Sequence, residues 1–244
     1  MENNMLKKFL SSAVVLSAFA VSAALPPAVV DMPLDEGDVN KITNTAPTKV
    51  RIRIANPEFM QWVEGANGQA LQFNNADGKV KRGQVAFQIP AKLDISKGFS
   101  WVYTFKTSKD FAKKRVNLLF RYADGHERSK GILIFCFYEM LYLRAGGDGK
   151  QTDMITNTAI TPIKPDSWYR VVMTYDGKTA KTYVNGKLAA TKDMQIVKPV
   201  QHSYAMIGSS GDIYGYGFSG IITQVKVFDR ALTDAEVTEL QAAE

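Results

Sequence analysis

Apolar and polar residues alternate along most of the chain, in short stretches that end in glycine, proline, asparagine or aspartate. Alternation with period 2 marks a strand with one face on a core, because successive strand side chains point to opposite sides. Arg51-Ile52-Arg53-Ile54 alternates charged with aliphatic side chains. Phe99, Trp101, Tyr103 and Phe105 share one face of a run whose other face carries Ser100, Thr104 and Lys106. Further β-runs follow at 116–122, 132–138, 140–145, 168–175, 179–184, 187–191, 204–207 and 218–228. Asp176-Gly177 and Asn185-Gly186 separate three of them, and such dipeptides supply the positive φ angles of tight hairpins. One helix is predicted, at the C-terminal end. Thr233 and Glu236 form its capping box, and Ala235, Val237 and Leu240 its apolar stripe. Many strands without alternating helices predict an all-β fold, a sandwich of two antiparallel sheets with one short C-terminal helix.

Two stretches break the alternation. Lys7 and Lys8 precede an apolar run from Phe9 to Val21, and the small residues Ser22, Ala23 and Ala24 follow. That order is the order of a signal peptide, and the run falls short of the roughly 20 residues that span a bilayer. Residues 1–23 are therefore read as a signal peptide, 24–33 with its three prolines as an extended leader, and 34–244 as one domain. The protein is expected to be exported (periplasmic, cell-surface or secreted) and to keep no transmembrane anchor after cleavage. The second stretch, Ile132 to Tyr138, is apolar nearly throughout and reads as a strand buried on both faces. It holds Cys136, whose expected role there is packing.

Composition narrows the chemistry. The 244 residues are 45% apolar, ordinary for a globular chain. A single cysteine excludes a disulfide framework and every multi-cysteine metal motif, and two histidines argue against a His-rich site. The net charge is +6, with the basic residues spread along the chain. Their densest run is Lys106, Lys109, Lys113, Lys114 and Arg115 around Asp110, which would attract an anionic polysaccharide or a charged surface. Nucleic acid is disfavoured as a partner, because no ladder of stacking aromatics accompanies the charge.

Trp168-Tyr169-Arg170-Val171-Val172-Met173-Thr174-Tyr175-Asp176-Gly177 and Lys181-Thr182-Tyr183-Val184-Asn185-Gly186-Lys187 together resemble the central signature of laminin-G-like domains. These domains belong to the concanavalin A-like lectin/glucanase superfamily. Ile207-Gly208, Phe218-Ser219-Gly220-Ile221-Ile222 and Val225 to Thr233 resemble its C-terminal stretch, and Trp62 to Gly65 with Gly68 to Phe73 its first strands. The resemblance implies a jelly-roll sandwich. It also implies a function drawn from a short list: lectin or other carbohydrate-binding module, protein-binding domain, or glycosidase.

Each possibility rests on different residues. A glycosidase of this superfamily would carry Glu-x-Asp-x-x-Glu on one strand, and that motif is missing, so catalysis is not expected. The resemblance also implies a structural calcium at the sandwich rim, for which Asp35, Glu36 and Asp38 are the candidate ligands. Thr223 stands where the family usually supplies an aspartate, so the site would lack its charged ligand from the last strand. Two loops are candidates for ligand contact. Tyr214 and Tyr216 lie among glycines, where rings can reach a sugar face. Tyr122, His126 and Arg128 mix ring, imidazole and guanidinium in an expected hairpin loop. The expected function is a non-catalytic module that binds glycan, with a protein-interaction or structural domain of the cell envelope as its alternative.

Overall fold

The alternating runs become strands in a computed structural model, which describes residues 25–65, 68–75, 81–111, 116–124, 130–147, 149–201, 203–210 and 216–242. Residues 1–24, which include the expected signal peptide, lie outside that set. The strands are β1 (Val30–Met32), β2 (Ile52–Ala55), β3 (Met60–Gly65), β4 (Gly68–Asn74), β5 (Gln84–Gln88), β6 (Phe99–Thr107), β7 (Asn117–Ala123) and β8 (Gly131–Phe137). They continue as β9 (Met140–Gly147), β10 (Lys150–Ile155), β11 (Trp168–Tyr175), β12 (Thr179–Val184), β13 (Lys187–Asp193), β14 (Tyr204–Ile207) and β15 (Ser219–Phe228). Helix α1 (Asp234–Ala242) closes the chain.

Two antiparallel sheets result. The back sheet runs β13-β12-β11-β6-β15-β4-β3, with β1 added beside β15, and the front sheet runs β10-β9-β8-β7-β14-β5-β2. Between them lies the core, in which Trp101 of the back sheet meets Phe87 and Phe120 of the front sheet. Phe99, Trp101, Tyr103 and Phe105 all face this layer, as their period-2 spacing predicts.

The outer face of β6 departs from the sequence expectation in one half. Ser100 and Val102 are buried there, because α1 and the segment before it lie across the back sheet. Val102, Val172 and Tyr183 pack against Leu232, Val237 and Leu240. The Ser100 hydroxyl donates to the Arg230 carbonyl and accepts from the Leu232 N–H. The capping box is present: the Thr233 N–H donates to Glu236 at 2.8 Å, and the Glu236 N–H donates to the Thr233 hydroxyl.

The stretch read as a leader is part of the sandwich. Val30 pairs with Val227 and Met32 with Val225, while Val29, Val30 and Met32 are buried in the core. Three prolines masked a three-residue strand. The folded unit therefore includes residues before 34, and Leu25 and Ala28 pack against the cluster of Val102, Val172 and Leu232.

Both glycine hairpins form as expected. Asn185 and Gly186 have φ of +47° and +77°, the geometry of a tight turn between β12 and β13. At the other, the Asp176 carboxylate accepts from the Lys178 and Thr179 N–H groups.

Candidate functional site

The outer face of the front sheet is apolar where a sandwich strand would normally be polar. Strand register builds it in rows. Leu118 of β7 lies opposite Phe135 of β8, which lies opposite Tyr142 of β9, which lies opposite Ile155 of β10. The next row is Arg121, Leu133, Arg144 and Asp153. Together with Phe137 and Tyr216, the apolar members enclose a groove of about 640 Å3.

Its geometry is that of a stacking platform with a polar end. Phe135 and Tyr142 lie nearly parallel, at 13° with centroids 4.8 Å apart, and Phe137 stands edge-on to Tyr142. The Arg144 guanidinium sits over the Phe135 ring, 5.0 Å from its centroid. Arg144 also donates two 2.9 Å hydrogen bonds to the Asp153 carboxylate, and Gln151 adds a third at 3.2 Å. This fork holds both side chains flat at the groove wall. Loss of solvent raises the Tyr142 hydroxyl pKa, the Asp153 charge raises it further, and Arg144 opposes both. The phenol is therefore neutral at physiological pH, and its hydroxyl donates to the Met140 sulfur at 3.8 Å.

Tyr216 reaches this groove from the glycine-rich loop singled out in the sequence. The Ser210 N–H and hydroxyl both donate to its carbonyl, and Ser209 bridges to Gly217. The ends of the loop are thereby pinned, and the Tyr216 ring packs on the Leu118–Phe135 patch. Tyr214 lies outside the described residues.

The second candidate loop is corrected in part. Tyr122 is only 2% exposed and belongs to the core, where burial pushes its hydroxyl up to about 12. A β-bulge between Leu118 and Phe120 inserts one residue and turns Tyr122 inward. It presents no ring to a ligand. His126 and Arg128 lie outside the described residues. Cys136 is fully buried, and burial pushes its thiol well above the ordinary value.

The candidate metal ligands are engaged in other ways. Glu36 accepts from the Thr43 N–H and hydroxyl, and Asp38 caps a short turn through the Asn40 N–H. Asp35 borders a pocket on the outer face of the back sheet together with Thr223. Arg170 lines the same pocket, and its charge opposes a cation there. Among the described residues no group of three or more His, Cys, Asp and Glu side chains could hold a metal.

The basic run is partly neutralised. Lys106 pairs with Asp166 at 2.7 Å, and Phe111 inside the run is a core residue. Lys113, Lys114 and Arg115 lie outside the described residues.

Sequence reasoning missed Phe135, Phe137, Tyr142, Arg144 and Asp153. One signal was available. A strand apolar at both parities in a two-layer sandwich has one face with no sheet to cover it.

Comparison with known proteins agrees with the fold. The Laminin_G_3 family, described as the Concanavalin A-like lectin/glucanases superfamily, matches residues 81–238. No curated protein sequence matches the chain. Among solved structures, the botulinum neurotoxin serotype D binding domain superposes with a TM-score of 0.68 at 11% identity, covering 89% of this chain and 52% of that one. The binding domain of botulinum neurotoxin DC does so in complex with rat synaptotagmin II, with a TM-score of 0.68, 14% identity and coverage of 89% and 52%. The same domain in complex with SialylT gives 0.66, 13%, 89% and 51%. The chain spans about half the length of these structures. The matched span holds the hairpin signature from Trp168 to Gly186 and the C-terminal stretch to Thr233, and the two-sheet jelly roll is built around both. The chain belongs to the laminin-G-like branch of the concanavalin A-like lectin/glucanase superfamily.

Proposed function

We propose that the protein is an exported, non-catalytic recognition module that binds carbohydrate in the front-sheet groove. One observation carries this reading: Phe135, Phe137, Tyr142 and Tyr216 line one groove whose wall is the Arg144–Asp153 fork. Aromatic faces receive the C–H faces of a sugar ring, and a fixed guanidinium–carboxylate pair offers donors and acceptors to adjacent hydroxyls. The botulinum neurotoxin DC binding domain, of the same fold, was solved with SialylT bound and with synaptotagmin II bound, which supports a binding role. Catalysis is disfavoured. A glycosidase needs two carboxyl groups across the scissile bond, and Asp153 is the one carboxylate among the described groove residues, tied to Arg144.

The second reading, a protein-binding domain, is favoured by Tyr138 and Ile155, which are 52% and 43% exposed. Ile155 lines the groove, and Tyr138 follows Phe137 at its edge. A glycan array probed with residues 24–244 and with the Tyr142→Ala variant separates the two. Saccharide hits that weaken roughly threefold to tenfold in the variant support carbohydrate binding. A silent array, or hits that survive unchanged, would sink it.

A further inference from the structure

The rows of strands end at β13 and β3 in the back sheet and at β10 and β2 in the front sheet. An end strand turns one line of backbone groups away from its sheet. β10 is covered where the Lys192 ammonium donates to the Asp153 carbonyl at 2.8 Å. β13 is interrupted where its pairing with β12 shifts register at Thr182 and Tyr183. On β3 the Met60 N–H is taken by the Pro57 carbonyl. Among the described residues β2 has no such cover. The Gln88 N–H donates to the Arg51 carbonyl at 2.8 Å, so Arg51, Arg53 and Ala55 turn their backbone groups to β5. Ile52 and Ile54 lie at the alternate positions. Their N–H and C=O groups point away from the sheet and have no hydrogen-bond partner among the described residues.

The side chains along this edge are sorted by face. Ile52 and Ile54 pack on the core, while Lys49, Arg51 and Arg53 are exposed at alternate positions. None of these three cations has a carboxylate within 4 Å among the described residues, whereas Lys92, Lys106, Lys181 and Lys226 each have one. The Arg53 guanidinium lies over the Tyr204 ring, 4.3 Å from its centroid, which fixes the side chain before any partner arrives. Charge on an edge strand repels strands of like charge. A second copy of β2 is a poor partner for that reason, since it would set arginine against arginine across the new pair. The same charge attracts a strand that carries carboxylates.

We propose that β2 is a docking edge for a partner protein, taking an extended acidic segment as an added strand of the front sheet. Backbone groups of the segment bond to Ile52 and Ile54, and carboxylates at alternate positions meet Arg51 and Arg53. Asn56, at φ +51°, turns the chain away after Ala55, so the added strand spans about five residues. The edge lies at the opposite end of the front sheet from β8, β9 and β10, which carry the aromatic groove. A ligand in the groove and a segment on β2 can be held at once.

The test is titration of the 15N-labelled protein with the end-blocked peptide Thr-Glu-Val-Glu-Val-Glu-Thr, followed by amide shifts and hydrogen exchange. In the added strand its valines face Ile52 and Ile54, and its glutamates face the arginines. The comparison probes are the same peptide with lysine for glutamate, the acidic peptide N-methylated at both valines, and a heparin-derived tetrasaccharide. The expected result is a saturable response to the acidic peptide, with slowed exchange of the Ile52 and Ile54 N–H groups. Arg53→Gln should weaken it about twofold to fivefold, the range of one exposed ion pair. Arg51→Glu joined to Arg53→Glu should lose the acidic peptide and take up the lysine peptide. The wild-type exchange data stand whether or not the variants fold. Absence of protection at Ile52 and Ile54 would overturn the proposal, as would shifts confined to Phe135 and Tyr142 of the groove. Equal binding of the N-methylated peptide would overturn strand addition, because charge alone would then suffice. Response to the tetrasaccharide without response to the peptide would overturn the choice of a protein partner.

Discussion

Gly208 is held by two constraints at once, a positive φ and an aromatic ring against its Cα. Its φ is +83°, and a Cβ built there would lie 2.3 Å from the Phe73 ring. That ring cannot retreat, because it is buried edge-on against Phe218. Gly208→Ala is therefore expected to cost at least about 2 kcal/mol and to lower the melting temperature by about 4 °C or more. A shift within 1 °C would show that Phe73 has room the packing does not reveal. Cys136 lends itself to a cleaner measurement. Its burial and raised thiol pKa predict no reaction with Ellman's reagent in the native protein and one equivalent after denaturation. Reaction of the folded protein at the rate of free cysteine would place the thiol at the surface. The packed cysteine was legible because apolar neighbours flank it on both sides in sequence. The inward turn of Tyr122 was not, since one bulged residue reverses the parity of everything beyond it and leaves no mark in the composition.

Elements with a local signal were readable, and elements held by their neighbours were not. The β11–β12 and β12–β13 hairpins announce themselves through Asp176-Gly177 and Asn185-Gly186, and α1 through Thr233 and Glu236. By contrast β10, Lys150-Gln151-Thr152-Asp153-Met154-Ile155, is an edge strand with few apolar residues, and its pairing with β9 defines it. β1 is likewise fixed by β15 across about 200 residues of chain, beyond the reach of any local pattern. The docking of α1 gives the element-scale prediction. Arg230 donates to both carboxylate oxygens of Glu236, Thr233 adds two further bonds, and these lower the Glu236 pKa to about 2 from an ordinary 4.5. A carboxyl group with a depressed folded pKa contributes its full stability above the unfolded value. That contribution is lost as pH falls from about 4.5 towards 2. Glu236→Gln should therefore lower the melting temperature at pH 7 by about 3–8 °C, for a loss of about 1.5–2 kcal/mol. The gap from wild type should narrow steadily below pH 4.5. A gap that stays constant down to pH 2 would show that the carboxylate charge contributes nothing.

At the scale of the whole molecule, the fold was legible and the candidate groove was not, because a sandwich core and a groove draw on the same residue types. Ile132 to Tyr138 reads as interior from either parity, and only the two-sheet arrangement shows that Leu133, Phe135 and Phe137 face away from the second sheet. Charge is arranged differently. Lys92, Lys106, Lys178, Lys181 and Lys226 each face an aspartate within 4 Å, so the net +6 is not gathered into a single patch among the described residues. Two consequences follow for measurements on the intact chain. A chelator should shift the melting temperature by less than about 3 °C, since Glu36 and Asp38 already bond to the backbone and Arg170 opposes a cation near Asp35. A larger loss would return those three carboxylates to a metal site. Salt gives the sharper discrimination. At 0.5 M ionic strength the Debye length shrinks to roughly 4 Å, which screens an exposed lysine cluster and leaves ring stacking and the partly buried Arg144–Asp153 fork nearly untouched. Saccharide affinity in the groove is expected to change less than about twofold between 50 and 500 mM sodium chloride. If the Lys106–Arg115 run carried the binding instead, several exposed charges would be screened together and affinity would fall by an order of magnitude or more. That result, joined to an unaltered affinity in Tyr142→Ala, would move the binding surface from the front sheet to the basic loop.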